Sequence, residues 1–444
     1  MTRKTSKLFR RRDESRRGTH ECVRHAHRSL TVAVLLLVPW CMQAREEYTR
    51  TFDKSLGVQN GQKIWLEHKF GDVVIRAHAQ QQVVVHADIR VSAPDSDMAK
   101  QYAGRVEILV EPGAELSIRT RYPDAQRSFG RRDVSFSVRY EVTVPETSPL
   151  VVRNAFGSVS ISGIKSSSEI YNSHGEIRFR NGRGAQHIEN SFASVNVEGN
   201  AGDVTIEATN GSVDASGITG AADIRNRFAR VTVDRVSNGV TIVNNNGAVS
   251  VTDSGGAGNV RNSFGSVTVR NFRGDLTVAN TNGQVDAVDV SGSADMRNGF
   301  GGVHFADIKR DLTIKTHNSK VEGSRVGGAV TIANSFGAVI VDDAGGAIDI
   351  HNQNGSIDAY SSTRGTCKPI TLHTSFSRLS VHLPDNANYH VFAKTSFGHL
   401  RSDFPLTVSG RVSENEVSGT LGSGQCEMRL TNNNGAIEIL KTAR

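Results

Sequence analysis

The sequence predicts an all-β fold, a parallel β-solenoid (β-helix) of 18/36-residue repeats with atypical N- and C-terminal caps. One short pattern, Asn-x-Phe/Asn-Gly-x-Val-x-Val, returns every 18 residues, twelve times, without insertion or deletion, beginning at Asn154. A fixed period of this length is typical of a chain that winds on itself and stacks its turns. Two properties of the repeat, a constant β-branched position and a second period of 36 residues, refine this prediction.

The first valine position of the pattern is always β-branched, which favours a strand with this side chain packed inward. A second short alternating run, such as Val240–Ile242, precedes each of these positions, so each unit predicts two strands and two turns. The inward positions are Val159, Ile177, Val195, Val213, Val231, Val249, Val267, Val285, Val303, Val321, Val339 and Ile357.

The third position of the pattern alternates between phenylalanine and a polar residue, which gives a second period of 36 residues. Because stacked parallel strands favour like side chains on like, we favour a rung of 36 residues with four short strands, in which Phe lies over Phe. A rung of 18 residues is the alternative and would place every Phe over an Asn. The alternating residues are Phe156, His174, Phe192, Asn210, Phe228, Asn246, Phe264, Asn282, Phe300, Asn318, Phe336 and Asn354.

The residue after this position is small, usually glycine, and fits a tight corner. Ala193 and Ser319 are accepted there, so we interpret close packing, rather than a strict need for positive φ, as the reason for glycine.

The leading asparagine of the pattern shares the inward parity of its strand. It is either an array that binds a ligand or a corner ladder that satisfies backbone groups, and we favour the ladder. Its central members are Asn190, Asn226, Asn244, Asn262, Asn280, Asn298, Asn334 and Asn352.

Residues 1–44 have the order of a secretory signal peptide. The basic stretch that contains Arg10–Arg12 precedes the apolar run Leu30–Val38, and Ala44 closes a plausible cleavage site. The apolar run is too short to span a bilayer, and no other stretch of the mature chain could cross one as a helix. We therefore expect export to the periplasm or the cell surface.

The charge of the mature chain argues against nucleic acid as a partner. The formal net charge is +7, but residues 1–44 hold ten basic and three acidic residues; removing them from totals of 52 and 45 leaves 42 of each sign.

The chain divides into four parts: the signal peptide 1–44, a β-rich N-terminal capping segment 45–150, the regular repeats 151–360 and a C-terminal cap of irregular repeats 361–444. Lys69–Val73 is a degenerate early copy of the repeat, and Ala93–Gly104 is a short-helix or loop candidate. Atypical terminal units are expected because an uncapped solenoid exposes strand edges.

Cys367 and Cys426 are the cysteines of the predicted mature chain, and export permits a disulfide. They lie two copies of the motif apart in equivalent turns. We expect the bond to form, because a 36-residue rung would place them on adjacent rungs; with a rung of one copy they would be too far apart.

The outward positions carry no recognisable catalytic or metal chemistry. Asp214, Asp286, Glu322 and Asp358 recur as a narrow acidic strip, which we interpret as a solvated edge rather than a cation or polysaccharide site. The 15 histidines show no metal-ligand spacing, and we predict no metal and no cofactor.

An arginine stripe precedes the asparagine in several Phe-type units. Its members are Arg153, Arg225, Arg261 and Arg297. They are either solvated side chains over apolar surface or a binding stripe for an anionic polymer.

The Phe70-Gly71-Asp72-Val73-Val74 strand, the Val142–Pro145 junction, the Asn-x-x-Gly-x-Val-x-Val copies and the tail Gly422–Ile439 resemble the bacterial putative-adhesin β-solenoid family, a domain of unknown function. The resemblance covers roughly residues 50–440 and implies the solenoid architecture and adhesion. It brings no catalytic residues.

Together these observations predict an exported, non-enzymatic scaffold that binds a cell-surface or envelope polysaccharide or protein through a repetitive face. A carbohydrate-active β-helix enzyme and an envelope-sensing regulatory partner are the alternatives.

Overall fold

The structure is a computed structural model that describes residues 45–123, 134–361, 367–409, 413 and 415–442. The predicted signal peptide, residues 1–44, lies outside the described residues. The described residues form a parallel β-solenoid of about 13 turns, as the repeat predicts. Each turn contributes one strand to each of two sheets, called sheet A and sheet B.

Successive strands of the regular turns alternate between the two sheets. Sheet A receives β9 (Val159–Ser162), β11 (Ile177–Arg183), β13 (Val195–Ala201), β15 (Val213–Ile218), β17 (Val231–Val236), β19 (Val249–Thr252), β21 (Val267–Phe272), β23 (Val285–Val290), β25 (Val303–Ile308), β27 (Val321–Val326), β29 (Val339–Ala344) and β31 (Ile357–Ser361). Sheet B receives β8 (Leu150–Phe156), β10 (Ser168–His174), β12 (Gln186–Phe192), β14 (Val204–Ala208), β16 (Ala222–Phe228), β18 (Val240–Asn246), β20 (Gly258–Phe264), β22 (Leu276–Asn282), β24 (Ala294–Phe300), β26 (Leu312–Asn318), β28 (Val330–Phe336) and β30 (Ile348–Asn354).

The rung is 18 residues long, so the favoured 36-residue rung is wrong. Val249 pairs with Val267, and Val267 pairs with Val285, each 18 residues apart. All twelve β-branched positions are buried, as the sequence predicts.

The 36-residue period arises from complementary sizes on neighbouring rungs rather than from like on like. Phe305 pairs with Ala287 on one side and with Gly323 on the other. A Cβ atom on Gly323 would lie 2.6 Å from a ring atom of Phe305, so the large side chain fills the space that its small neighbour leaves.

The glycine corners have two causes, and the sequence interpretation named only one. Gly175 has a φ of 131°, and a Cβ atom there would lie 2.1 Å from the carbonyl oxygen of Gly157 on the preceding rung. Both the conformation and the close approach of backbone therefore favour glycine. Ala229, at the same corner, has a φ of 81°.

The N-terminal cap is built from β1 (Glu46–Gly57), β2 (Lys63–Glu67), β3 (Val73–His78), β4 (Gln82–Ala93), α1 (Ser96–Arg105), β5 (Glu107–Glu111), β6 (Glu115–Arg121) and β7 (Ser135–Pro145). The helix candidate is a helix: Asp95 caps α1 by accepting a hydrogen bond from the amide of Met98, and Ala99, Tyr102 and Ala103 are its buried residues. Antiparallel β4 and β1 extend sheet A beyond β7.

The first rung, β2 and β3, is not at the end of the stack. β2 pairs with both β6 and β8, and β3 pairs with both β7 and β9. Strands that come later in the chain therefore cover the first rung on its outer side.

The C-terminal cap repeats this arrangement with β32 (Ile370–Phe376), β33 (Leu379–Leu383), β34 (Tyr389–Phe397), β35 (Leu400–Ser402), β36 (Thr407–Val408), β37 (Glu416–Leu421), β38 (Cys426–Asn434) and β39 (Ile437–Lys441). The last rung, β38 and β39, lies between β32/β33 and β34/β35. Antiparallel β37 and β36 extend sheet B beyond β34. The terminal rung is thus interleaved at both ends.

This interleaving explains a disulfide between Cys367 and Cys426, whose Cα atoms are 6.0 Å apart. The sequence argument tied the bond to a 36-residue rung, and that reason is wrong. The two cysteines are neighbours because β38 inserts directly beside β32.

Candidate functional site

The predicted asparagine ladder is inside the solenoid. The Nδ2 atom of Asn298 donates hydrogen bonds to the carbonyl oxygens of Gly283, 3.0 Å away on the preceding rung, and of Gly301, 2.8 Å away on its own rung. Asn262 bridges Gly247 and Gly265 in the same way. These asparagines are at most 6% exposed, so they join glycine corners and offer no surface to a ligand.

The arginine face is the outward side of sheet B at Arg225, Arg261 and Arg297. Val243 and Ala279 occupy the same position on the rungs between them. Successive arginines are therefore two rungs, about 9.6 Å, apart. This spacing relieves the repulsion that adjacent rungs would have imposed.

Carboxylates already neutralise part of this face. Arg225 lies 3.1 Å from Asp223 and 3.5 Å from Glu207, and Arg297 lies 3.2 Å from Asp295. The residue two positions before Arg261 is Asn259, and among the residues that the structure describes no acidic group forms an ion pair with Arg261.

Arg153 lies apart from the other three, four rungs before Arg225. Its guanidinium carbon is 5.1 Å from the ring centre of Trp65 and 4.7 Å from that of Tyr171. These cation–π contacts hold it at the junction with the N-terminal cap. It lines a surface cleft of about 550 Å³ whose wall includes His68 and Tyr122.

The inner wall of this cleft is structural. Burial lowers the pKa of His68 to about 4, and its Nδ1 atom lies 3.2 Å from the Thr120 hydroxyl and 3.1 Å from the Tyr122 hydroxyl. The neutral imidazole thus joins a network of hydroxyl groups under the cap.

The predicted acidic strip is engaged in ion pairs with basic side chains and in contacts with histidines. Asp286 lies 2.5 Å from Arg270 and 2.6 Å from His304, and Asp358 lies 2.8 Å from His382. Asp214 lies 3.9 Å from Arg230, and Glu322 pairs with Lys320. Within the described ranges no group of three metal-binding side chains comes together.

The sequence interpretation missed an exposed phenylalanine column along one corner. The prediction that Phe lies over Phe suggested packed rings, but these phenylalanines are between 43% and 76% exposed. The column consists of Phe156, Phe192, Phe228, Phe264, Phe300, Phe336, Phe376 and Phe397. A signal was present, because the same slot accepts Asn and His, which a dry core position would not.

The described residues contain no helix with the length and apolarity required to traverse a membrane.

These features define a two-sheeted β-solenoid with repetitive lateral faces. No protein-family model and no curated protein matches the chain. Similar solved structures are described as a putative cell adhesion protein from Clostridium sporogenes and putative adhesins from Parabacteroides distasonis and Bacteroides fragilis.

The similarity to these structures is distant. The Clostridium protein is 9% identical, with 89% of this chain and 100% of that chain covered and a TM-score of 0.16. The Parabacteroides protein is 10% identical, with coverages of 66% and 97% and a TM-score of 0.22. The Bacteroides protein is 9% identical, with coverages of 69% and 96% and a TM-score of 0.16.

Proposed function

We propose that this chain is an exported, non-enzymatic scaffold that binds a polymer of a cell surface or envelope through a repetitive lateral face. The observation that supports this most directly is the constant interval of the arginine face. Arg225, Arg261 and Arg297 lie on one sheet at steps of about 9.6 Å. A polymer with regularly spaced anionic groups would meet several weak contacts at once, and linked contacts reinforce one another.

The partial neutralisation of the face sets the expected strength. Because Arg225 and Arg297 already have carboxylate partners, a polymer has to compete for them, whereas Arg261 has no such competitor among the described residues. Binding should therefore be weak at each rung, dependent on polymer length and sensitive to salt.

The first test replaces Arg225, Arg261 and Arg297 together with Gln. We expect salt-sensitive binding to an acidic polysaccharide to fall at least about tenfold, because three charge contacts are lost while exposed side chains contribute little to stability. Binding is measured by surface plasmon resonance against polymers of increasing length and at increasing ionic strength.

The matched control replaces Arg180, Arg270 and Arg325 together with Gln. These arginines lie on sheet A, in ion pairs with Glu198, Asp286 and Asp307. This variant has the same net charge as the first but keeps the arginine face. Equal losses in both variants would reduce the effect to net charge, and unchanged binding in the first would refute a role for the face.

Export has its own test. Residues 1–44 should be removed in the native host, so mass spectrometry of the purified protein should find an N-terminus near Arg45. An intact Met1 in the cytoplasmic fraction would contradict export.

A further inference from the structure

From Phe156 to Phe397 the phenylalanine column alternates with His or Asn side chains on successive rungs, whereas on its outer side Phe156 stacks on Phe70 of the first rung, with ring centres 5.5 Å apart. Each ring lies beside a His or an Asn on the next rung, as in the pairs Phe264–Asn282 and Asn282–Phe300. Rings therefore recur every two rungs, about 9.6 Å apart. The Asn rungs leave openings, here called the asparagine gaps, at Asn210, Asn246, Asn282, Asn318, Asn354 and Asn434.

At the C-terminal end the alternation is present in space although it is absent from the chain order. Along the chain, Phe376 is followed by Phe397, which would put two rings on successive rungs. The interleaved β38 separates them, because Asn434 pairs with Phe376 on one side and with Phe397 on the other. Simple duplication of a 36-residue unit does not explain why the alternation continues across the break in the repeat at the C-terminal end.

One position shows what fits between two rings. His174 lies between Phe156 and Phe192, and its ring centre is 4.7 Å from each, with interplanar angles of 18°. A flat ring thus fills the space between two column members by stacking on both faces. Because the three rings stack from one rung to the next, the faces of the rings point along the solenoid axis.

This ring orientation selects the occupant of the remaining gaps. A linear sugar chain that ran along the column would meet ring edges, whereas a side chain that enters from the side would meet ring faces. A partner that fills successive gaps has to present flat rings two rungs apart. The phenylalanine column of a second copy has this spacing.

We propose that the phenylalanine column is the interface of an antiparallel homodimer in which rings of each copy enter the asparagine gaps of the other. A two-fold axis perpendicular to the column, midway between two rungs, places every Phe opposite a gap. Such an interface is isologous and closes without forming a filament.

The surroundings of the column suit such an interface. Small residues flank most of the rings, as in Ser263-Phe264-Gly265 and Gly299-Phe300-Gly301, and allow close approach; Phe228, which follows Arg227, is an exception. The predicted mature chain carries 42 residues of each sign, so two copies do not repel through net charge.

The available area is also sufficient. Six half-exposed rings would bury roughly 100 Å² each, and with the flanking residues this approaches the ~800 Å² per partner of a stable interface. The arginine face lies outside this contact, because each of its arginines is three residues before a column ring, within a strand of sheet B.

The test uses two opposite variants of the full chain. Phe264, Phe300 and Phe336 are replaced together with Asn, the residue that the same slot holds on alternate rungs, so the fold should tolerate the change. Asn246, Asn282 and Asn318 are replaced together with Phe in the second variant, which fills the central gaps as His174 fills its own.

Sedimentation equilibrium should find a dimer for the unchanged chain and a self-association weakened more than about 100-fold in the first variant, because three rings leave each side. The gap-filled variant should also be weakened, although it exposes more apolar surface. Circular dichroism confirms that both variants remain folded.

Three results would overturn the proposal. The first is a monomeric unchanged chain at high concentration. The second is stronger association of the gap-filled variant, which would indicate non-specific hydrophobic association. The third is binding of a neutral β-linked oligosaccharide by a monomer through the same rings.

A spin label at Ser173→Cys tests the orientation of the two copies. It should give a long distance between labels in the dimer, and a short distance would refute the antiparallel orientation.

Discussion

Val267→Asp should unfold the central rungs and lower the free energy of unfolding by about 4 kcal/mol or more, because it places an unpaired charge in a dry stack. Val267 is fully buried and packs between Val249 and Val285 on the adjacent rungs. A carboxylate at this position has no described cation beside it and cannot reach water without opening two rungs. Urea denaturation followed by circular dichroism, with hydrogen exchange to locate the opened rungs, measures the effect.

The matched control is an outward substitution on the neighbouring strand, Ser250→Asp. Thr268, the outward residue next to Val267, pairs with Asp286, so an acid there would add repulsion between like charges. Ser250 lies between Thr232 and Thr268 and avoids this difficulty. We expect a change within about 0.5 kcal/mol for the control. Equal destabilisation by the two aspartates would refute the assignment of inward and outward faces.

Loss of the disulfide should free the C-terminal cap while the central rungs stay folded. The Cys367–Cys426 bond closes a loop across a sequence separation of 59 residues and fastens the interleaved β38 beside β32. The bond lowers the conformational entropy of the unfolded chain. For a loop of this length this corresponds to about 4 kcal/mol of stability, less any native strain. Since each rung of a solenoid contacts only its neighbours, the loss should be local. Amide hydrogen exchange in β38 and β39 of the Cys426→Ser variant measures it.

The two cysteines supply their own control. Cys367→Ser, Cys426→Ser and the double variant should show the same acceleration of exchange, because each removes the same bond. Chemical reduction of the unchanged chain should reproduce it. Additive effects of the two single variants, or two free thiols in the oxidised protein, would show that the bond does not support the cap.

The sequence was sufficient for the solenoid and for the direction of its core side chains. Twelve β-branched residues at a constant interval leave few other ways to bury them, and all twelve are buried. The helix α1 also lies where the pattern is interrupted. These predictions succeed because each depends on local periodicity.

The rung length and the site depended on contacts between rungs, which the periodicity does not determine. The prediction of 36 residues assumed that like side chains stack, but the core prefers a large residue beside a small one, as with Phe305 and Gly323. The same assumption hid the exposure of the phenylalanine column. Arg225 has one carboxylate partner on its own strand, Asp223, but its second partner, Glu207, is next to it only because the rung is 18 residues long.

The interleaved terminal rungs have a consequence for how the molecule reaches its final form. A chain delivered from its N-terminus exposes β2 and β3 before β6 to β9, their eventual neighbours, have emerged. At the other end, β38 and β39 arrive last but belong between rungs that are already complete in sequence. Rungs β32/β33 and β34/β35 therefore cannot reach their final positions on the two sides of β38/β39 before the last residues have been made. The C-terminal cap is completed last, and the Cys367–Cys426 disulfide then links β38 to the segment before β32.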